Sequence, residues 1–192
     1  MLFRSNRLLK VVDNTSIVEL LEDFPTVSTP TYAAEAVPTG LTVNTTGTLY
    51  NTQLPGFPFL PGTASIFRSD GMPNSAQAIS SGYTNVMDMS LGTDGWLYLV
   101  QYAQDFSNPA GSGSLIRYNP LQNIQEVLAE KIDRPTGVLA LADGTIYVAT
   151  GGSTTNGSLV RYTPGPLPIG GAVLAWRHAR GLRRRIQSRP RA

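Results

Sequence analysis

The chain has no cysteine and one histidine, His178, which lies in an Arg-rich stretch near the C-terminus. Without cysteine there is no disulfide, no thiolate metal site and no thiol nucleophile. With its histidine outside the body of the chain, a Ser-His-Asp triad, a histidine general base or a histidine metal site cannot be assembled there. No run of about 18 apolar residues occurs that could span a bilayer as a helix. Met1 to Lys10 lacks the apolar core of a secretory signal, so the chain as written is not expected to be exported. No phosphate-binding loop is present, because Gly111-Ser112-Gly113-Ser114 is not followed by Gly-Lys-Ser/Thr and reads as a hairpin loop.

Charge is scarce and unevenly placed. All 13 acidic residues precede residue 176, against eight Lys or Arg, which leaves that body at −5. The other seven arginines, from Arg177 to Arg191, give the tail +7. The pI of about 9.0 therefore belongs to the tail. An acidic body lacks the clustered Lys and Arg that nucleic-acid contact requires, so no nucleic-acid partner is expected.

In abundance are 19 Gly and 14 Pro, a density of punctuation that favours short strands and turns over long helices. They fall into a repeat. Pro38-Thr39-Gly40-Leu41-Thr42-Val43 leads to Gly47-Thr48-Leu49-Tyr50, Thr84-Asn85-Val86-Met87-Asp88-Met89 to Asp94-Gly95-Trp96-Leu97-Tyr98, and Pro135-Thr136-Gly137-Val138-Leu139-Ala140 to Asp143-Gly144-Thr145-Ile146-Tyr147. The tyrosines are 48 and 49 residues apart, a period that belongs to propeller blades. A third strand bearing an arginine follows in each copy (65–68, 114–118, 158–162), then a fourth (76–79, 125–128). Asp-Gly pairs supply the positive φ that tight hairpins need. The expected fold is all-β: a partial β-propeller of four-stranded antiparallel blades, about three and a half of them, with a basic irregular C-terminal tail.

The expected organisation is a propeller fragment over 1–169, with blade portions about 6–24, 37–80, 83–131 and 134–176, and a basic, disordered tail over 170–192. The first portion has only a third and a fourth strand, at 6–12 and 16–21, and 172–176 is a weak fourth strand for the last. An unclosed ring is expected to leave two open edges with unpaired backbone groups. The chain is then a fragment, or self-associates through those edges, or is unstable alone, and the fragment reading is preferred. For the tail three readings stand: a solvated basic segment, an out-of-frame translation, or an arm for a membrane surface or nucleic acid.

Thr39, Asn85 and Thr136 open the inner strands at what the repeat makes equivalent positions, forming a ring at one mouth of the central channel. Each either hydrogen-bonds a neighbouring blade or contributes to a polar collar for a ligand. Asp88 sits among Val86, Met87 and Met89 on an inner strand, where an unpaired carboxylate would be costly. It either caps backbone amides at the channel wall or meets a ligand. A metal would have to be a hard, oxygen-bound cation such as Ca²⁺, with Asp88, Asp94, Asp105 and Asp143 as candidates, although Asp94 and Asp143 read first as turn residues. No cofactor is required by the sequence. Two long loops carry aromatics: Leu54 to Gly62, with Phe57 and Phe59, and Gln101 to Gly113, with Tyr102, Asp105 and Phe106. They either form a binding surface or fold back to seal the blade end. The sequons at Asn14, Asn44 and Asn156 are expected by chance in a chain this rich in Asn, Ser and Thr.

Val37-Pro38-Thr39-Gly40-Leu41, Leu54-Pro55-Gly56-Phe57-Pro58-Phe59, Ser81-Gly82-Tyr83-Thr84-Asn85-Val86-Met87-Asp88 and Arg134-Pro135-Thr136-Gly137-Val138 form a series that resembles the ScyD/ScyE family of propellers, related to NHL-repeat proteins. The resemblance covers about residues 6 to 163; the Gly-Phe-Pro-Phe loop and the Tyr-Thr-Asn segment are its specific parts. It implies a longer parent with more blades, usually exported to the periplasm or the exterior. Members have been linked to biosynthesis of the extracellular pigment scytonemin, and no catalytic residue is implied. The function expected is a non-catalytic binding or scaffold protein that meets a small molecule or protein at the propeller face. The alternative is a propeller-type lyase or lactonase that holds a divalent cation in the channel near Asp88.

Overall fold

The computed structural model describes residues 8–12, 16–21, 27–28, 33–34, 36–73 and 75–163. Among them every regular element is a strand. β1 (Leu8–Val12) pairs with β2 (Ser16–Leu21), and β3 (Val27–Ser28) with β4 (Ala33–Ala34), the latter a short pair that the sequence reading lacked. The first blade is β5 (Val37–Val43), β6 (Leu49–Leu54), β7 (Ala64–Ser69) and β8 (Gln77–Tyr83). The second is β9 (Val86–Leu91), β10 (Leu97–Gln101), β11 (Gly113–Asn119) and β12 (Ile124–Ile132). The third is β13 (Gly137–Ala140), β14 (Ile146–Thr150) and β15 (Ser158–Tyr162). Each sheet is antiparallel with its strands in chain order. The expected strand at 172–176 and the tail lie outside the described residues.

The repeat has a local cause. In each blade the inner hairpin closes through the same bond: Asn44, Gly92 and Leu141 donate their N–H to the carbonyls of Thr48, Trp96 and Thr145 at 3.0, 2.9 and 2.8 Å. Gly47, Gly95 and Gly144 take φ of 85, 79 and 80° in those turns, a region that costs other residues about 1 kcal/mol or more. The Asp94 and Asp143 carboxylates accept from the N–H of Trp96 and Thr145. The first turn lacks the aspartate because Asn44 Oδ1 does the same work, accepting from Thr46 and Thr48.

Pairing then places the tyrosines alike. Tyr50, Tyr98 and Tyr147 stand opposite Thr42, Ser90 and Leu139 on one side and Arg68, Arg117 and Arg161 on the other. Arg117 lies 4.3 Å from the centre of the Trp96 ring and pairs with Glu126.

The sheets meet by their faces. Tyr50, Ile66 and Tyr83 of the first blade pack on Met89, Leu97, Leu99 and Ile116 of the second. Tyr98, Val100 and Leu115 of the second pack on Val138, Ile146 and Val148 of the third. Each such side chain, fully buried, contributes about 1.5–3 kcal/mol. β5, β9 and β13 run side by side without a ladder between them. The chain is thus an all-β partial propeller with its first strands innermost.

One expectation changes. The three polar residues that open the inner strands are not equivalent. Counted from the tyrosines, Thr39 and Thr136 match Met87, while Asn85 matches Val37 and Arg134. The backbone agrees, with Asn85 and Arg134 both at positive φ, 50 and 41°. The sequence alignment is off by two residues in the second copy because the polar Asn85 stands in it for the polar Thr39 and Thr136, whereas the ladder is set by the hairpin turns.

Candidate functional site: the loop face

Antiparallel order gathers the starts of β5, β9 and β13 with the ends of β6, β10 and β14 at one end of the blades. The 55–63, 102–112 and 151–157 loops are at that end, as are residues 133–136. Non-glycine residues with positive φ concentrate there among the described residues: Phe59, Asn85, Lys131, Arg134 and Ser153, against Asn123 alone at the other end. Such strain persists where surrounding structure over-determines it, a habit of ligand-contacting segments.

The inner strands reach this end through a chain of hydroxyls. Gly40 N–H donates to Thr52 Oγ1 at 3.0 Å, Thr52 and Thr39 hydroxyls are 3.0 Å apart, and Thr39 donates to the Val86 carbonyl at 2.8 Å. Because the Thr39 proton is used on Val86, Thr52 is the donor between them. Thr39 thus joins the first blade to the second. Asn85 instead bonds within its own blade, Nδ2 donating to the Ala103 carbonyl at 3.2 Å. It is fully buried, and its Oδ1 has no partner among the described residues. Thr136 is exposed, with its methyl against Gly152, where an added β-carbon would come within 2.4 Å of it.

Asp88 stands at the register position of Gly40 and Gly137. Its Oδ1 accepts from Met89 N–H at 2.8 Å and its Oδ2 from Val138 N–H at 2.9 Å. Those two amides are themselves equivalent, one in each of two successive inner strands. Ser90, two residues on, accepts from Ala140 N–H at 3.0 Å. The sequence reading did not single out Ser90; its place two residues after Asp88, on the same strand face, is the signal that would have found it. Among the described residues no group of three or more His, Cys, Asp or Glu stands close enough to hold a metal.

The aromatic loops come together across blades. Phe59 stacks on Phe106 with ring centres 4.3 Å apart and planes at 23°. Phe57 meets Phe59 edge to face at 6.1 Å, and Tyr102 lies 5.7 Å from Phe106. Tyr102 is buried, donates its N–H to the Asn85 carbonyl and reaches the Gly152 carbonyl of the third blade with its hydroxyl at 3.5 Å. Phe57 and Phe106 remain 57% and 41% exposed. The strip is therefore anchored at Tyr102 and open at the other rings. Asp105 borders it, its Oδ1 accepting from the N–H and hydroxyl of Ser107, which holds its carboxyl below the usual carboxylate range.

Beside the strip a groove of about 330 Å³ opens between the first two blades, lined by Pro61, Thr84, Gln101, Ser114, Val127 and Glu130 among others. Gln101 spans its floor, Oε1 accepting from Thr84 N–H at 2.6 Å and Nε2 donating to Ser114 Oγ at 2.8 Å. The sequence reading missed this tie. Its trace is a glutamine three residues after the tyrosine in two copies, Gln53 and Gln101.

No known family profile matches the chain, and neither does any curated protein. Among solved structures, a Mycobacterium tuberculosis puromycin-hydrolyzing peptidase is similar at 18% identity and a TM-score of 0.49, over 80% of this chain and 22% of that one. A puromycin hydrolase mutant complexed with PGG is similar at 13% identity and a TM-score of 0.36, over 79% and 29%. The chain spans less than a third of the length of either.

Proposed function

We propose that this chain is a non-catalytic binding or scaffold module that engages a small molecule or protein on its loop face, in keeping with its resemblance to the ScyD/ScyE family and to an exported parent. The observation that carries this reading is the aromatic strip from Tyr102 through Phe106 and Phe59 to Phe57. Exposed rings held in place by stacking lose little entropy on meeting a partner, so their area converts efficiently into affinity. The strained backbone at Phe59 and Asn85 supports the same face.

A test is ligand-observed NMR with a library of small aromatic and aliphatic fragments, comparing the wild type with the Phe57→Ala/Phe106→Ala double variant. Both residues are exposed, so folding should survive. Fragments should bind the wild type and lose roughly tenfold or more in affinity on the variant, the range of an aromatic hot spot. Equal binding to both proteins would remove the strip from the function.

A further inference from the structure

We propose that the groove between the first two blades is a saccharide site, taking a neutral ring that carries several hydroxyls. This rests on the loop face being the binding face and names a ligand class for it. The groove runs up to the aromatic strip: Pro61 and Gln104 line it, each two residues along the chain from the stacked Phe59 and Phe106. Its volume of about 330 Å³ lies at the lower end of small-ligand sites, which run from roughly 300 to 1,000 Å³.

The floor is fixed before any ligand arrives. Gly62 of the first blade donates its N–H to Thr84 Oγ1 at 2.9 Å, Thr84 donates its own N–H to Gln101 Oε1, and Gln101 Nε2 donates to Ser114 Oγ. That chain ends on a donor. Ser114 is 1% exposed, its oxygen receives the Gln101 bond, and its hydroxyl proton meets no acceptor among the described residues. A buried donor in that state is costly, which points to an acceptor supplied from outside the chain. Glu130 stands opposite Ser114 in the ladder of the second blade, so both side chains project from the same sheet face, and its carboxylate has no partner among the described residues. Gln104 and Gln125 add two amides, each able to donate and to accept.

These groups select the ligand. An anion would meet Glu130, the charged side chain lining the groove. A cation would satisfy Glu130 and leave the Ser114 proton without an acceptor. A hydroxyl both accepts and donates, so neighbouring hydroxyls on one ring answer Ser114 and Glu130 together. The C–H face of such a ring is apolar and matches Ile116 and Val127 in the same groove.

The test is saturation-transfer-difference NMR on the full chain with glucose, galactose, xylose, maltose and cellobiose at millimolar concentration, and with butylammonium and glutarate as charged controls. The expected result is that at least one saccharide binds and that neither control competes with it. Glu130→Ala, an exposed change, should weaken that binding roughly tenfold or more, the loss of a hydrogen bond to a charged group. Gln104→Ala, also exposed, should weaken it too, so the result does not hang on altering the buried serine. If no saccharide binds while aromatic fragments still bind the strip, the groove is overturned, Ser114 is met by water alone, and the loop-face reading stands. Failure of fragments and saccharides together would remove both. Saccharide binding unchanged by Glu130→Ala, or displaced by butylammonium or glutarate, would also overturn the proposal.

Discussion

Among single side chains, Asp88 bears most directly on how the blades are joined. Its carboxylate ties an amide of its own strand to the equivalent amide of the next blade, at a position where the other two blades have glycine. Asp88→Ala would leave both amides without an acceptor in a half-buried seam, at a cost of about 1–3 kcal/mol for each. Asp88→Asn keeps one carbonyl oxygen and should cost less. Urea unfolding of the three proteins at neutral pH should rank them wild type, Asn, Ala, and an Ala variant as stable as wild type would show that the seam does not depend on these bonds. The carboxylate's type and strand were legible in the sequence. Its partners were not, because Val138 is 50 residues away and its amide is placed by the packing of another sheet.

Among elements, the inner strands approach one another in two different ways. At the first seam Gly40 lies against the backbone of Asp88 and Met89, where a β-carbon would come within 2.4 Å of the Met89 nitrogen. At the second seam Asp88 takes the place that Gly40 has at the first, and a β-carbon on Gly137, their equivalent in the third blade, would meet nothing nearer than 3.6 Å. Neither glycine needs its backbone freedom, so the contrast is one of space alone. Gly40→Ala should therefore destabilise by about 1–3 kcal/mol through overpacking, and Gly137→Ala should be close to neutral. Thermal unfolding of the two variants checks this, and equal effects would mean that the close approach at Gly40 does not limit what the position can hold. The Pro-Thr-Gly pattern showed both glycines in the sequence, but nothing in it distinguished the two, because the difference is made by the residue facing each.

For the molecule as a whole, tyrosines join the two inter-blade cores. Burial pushes the Tyr83 hydroxyl up to about 12, and burial with the Asp94 carboxylate does the same for Tyr98, each from an ordinary 10.0. A raised value in the folded state means that the unfolded chain loses its protons first as pH rises. The stability these groups contribute is thus intact below pH 10 and is lost as the pH climbs towards about 12. Alkaline titration followed by circular dichroism and tyrosinate absorbance should show ionisation of these rings together with loss of β-structure. Tyrosinate forming at ordinary pH with the sheets intact would contradict their burial.

The all-β class, the period near fifty residues and the turn chemistry were readable along the chain because they are local: a glycine at positive φ, an aspartate or asparagine two to four residues from the amide it caps, alternation along a strand. Even the strand pairings within a blade follow from short hairpins. Register between blades did not follow, since it depends on counting from a turn that only the ladder identifies, and it is the ladder that aligns Asn85 with Val37 and Arg134. The aromatic loops were visible as composition, but Phe59 stacking on Phe106 needs two blades to set side by side loops 47 residues apart. Which apolar residues of the inner strands are buried was likewise decided by the radial stacking of sheets, because side chains such as Met89 and Val138 are covered only where a neighbouring blade packs on them.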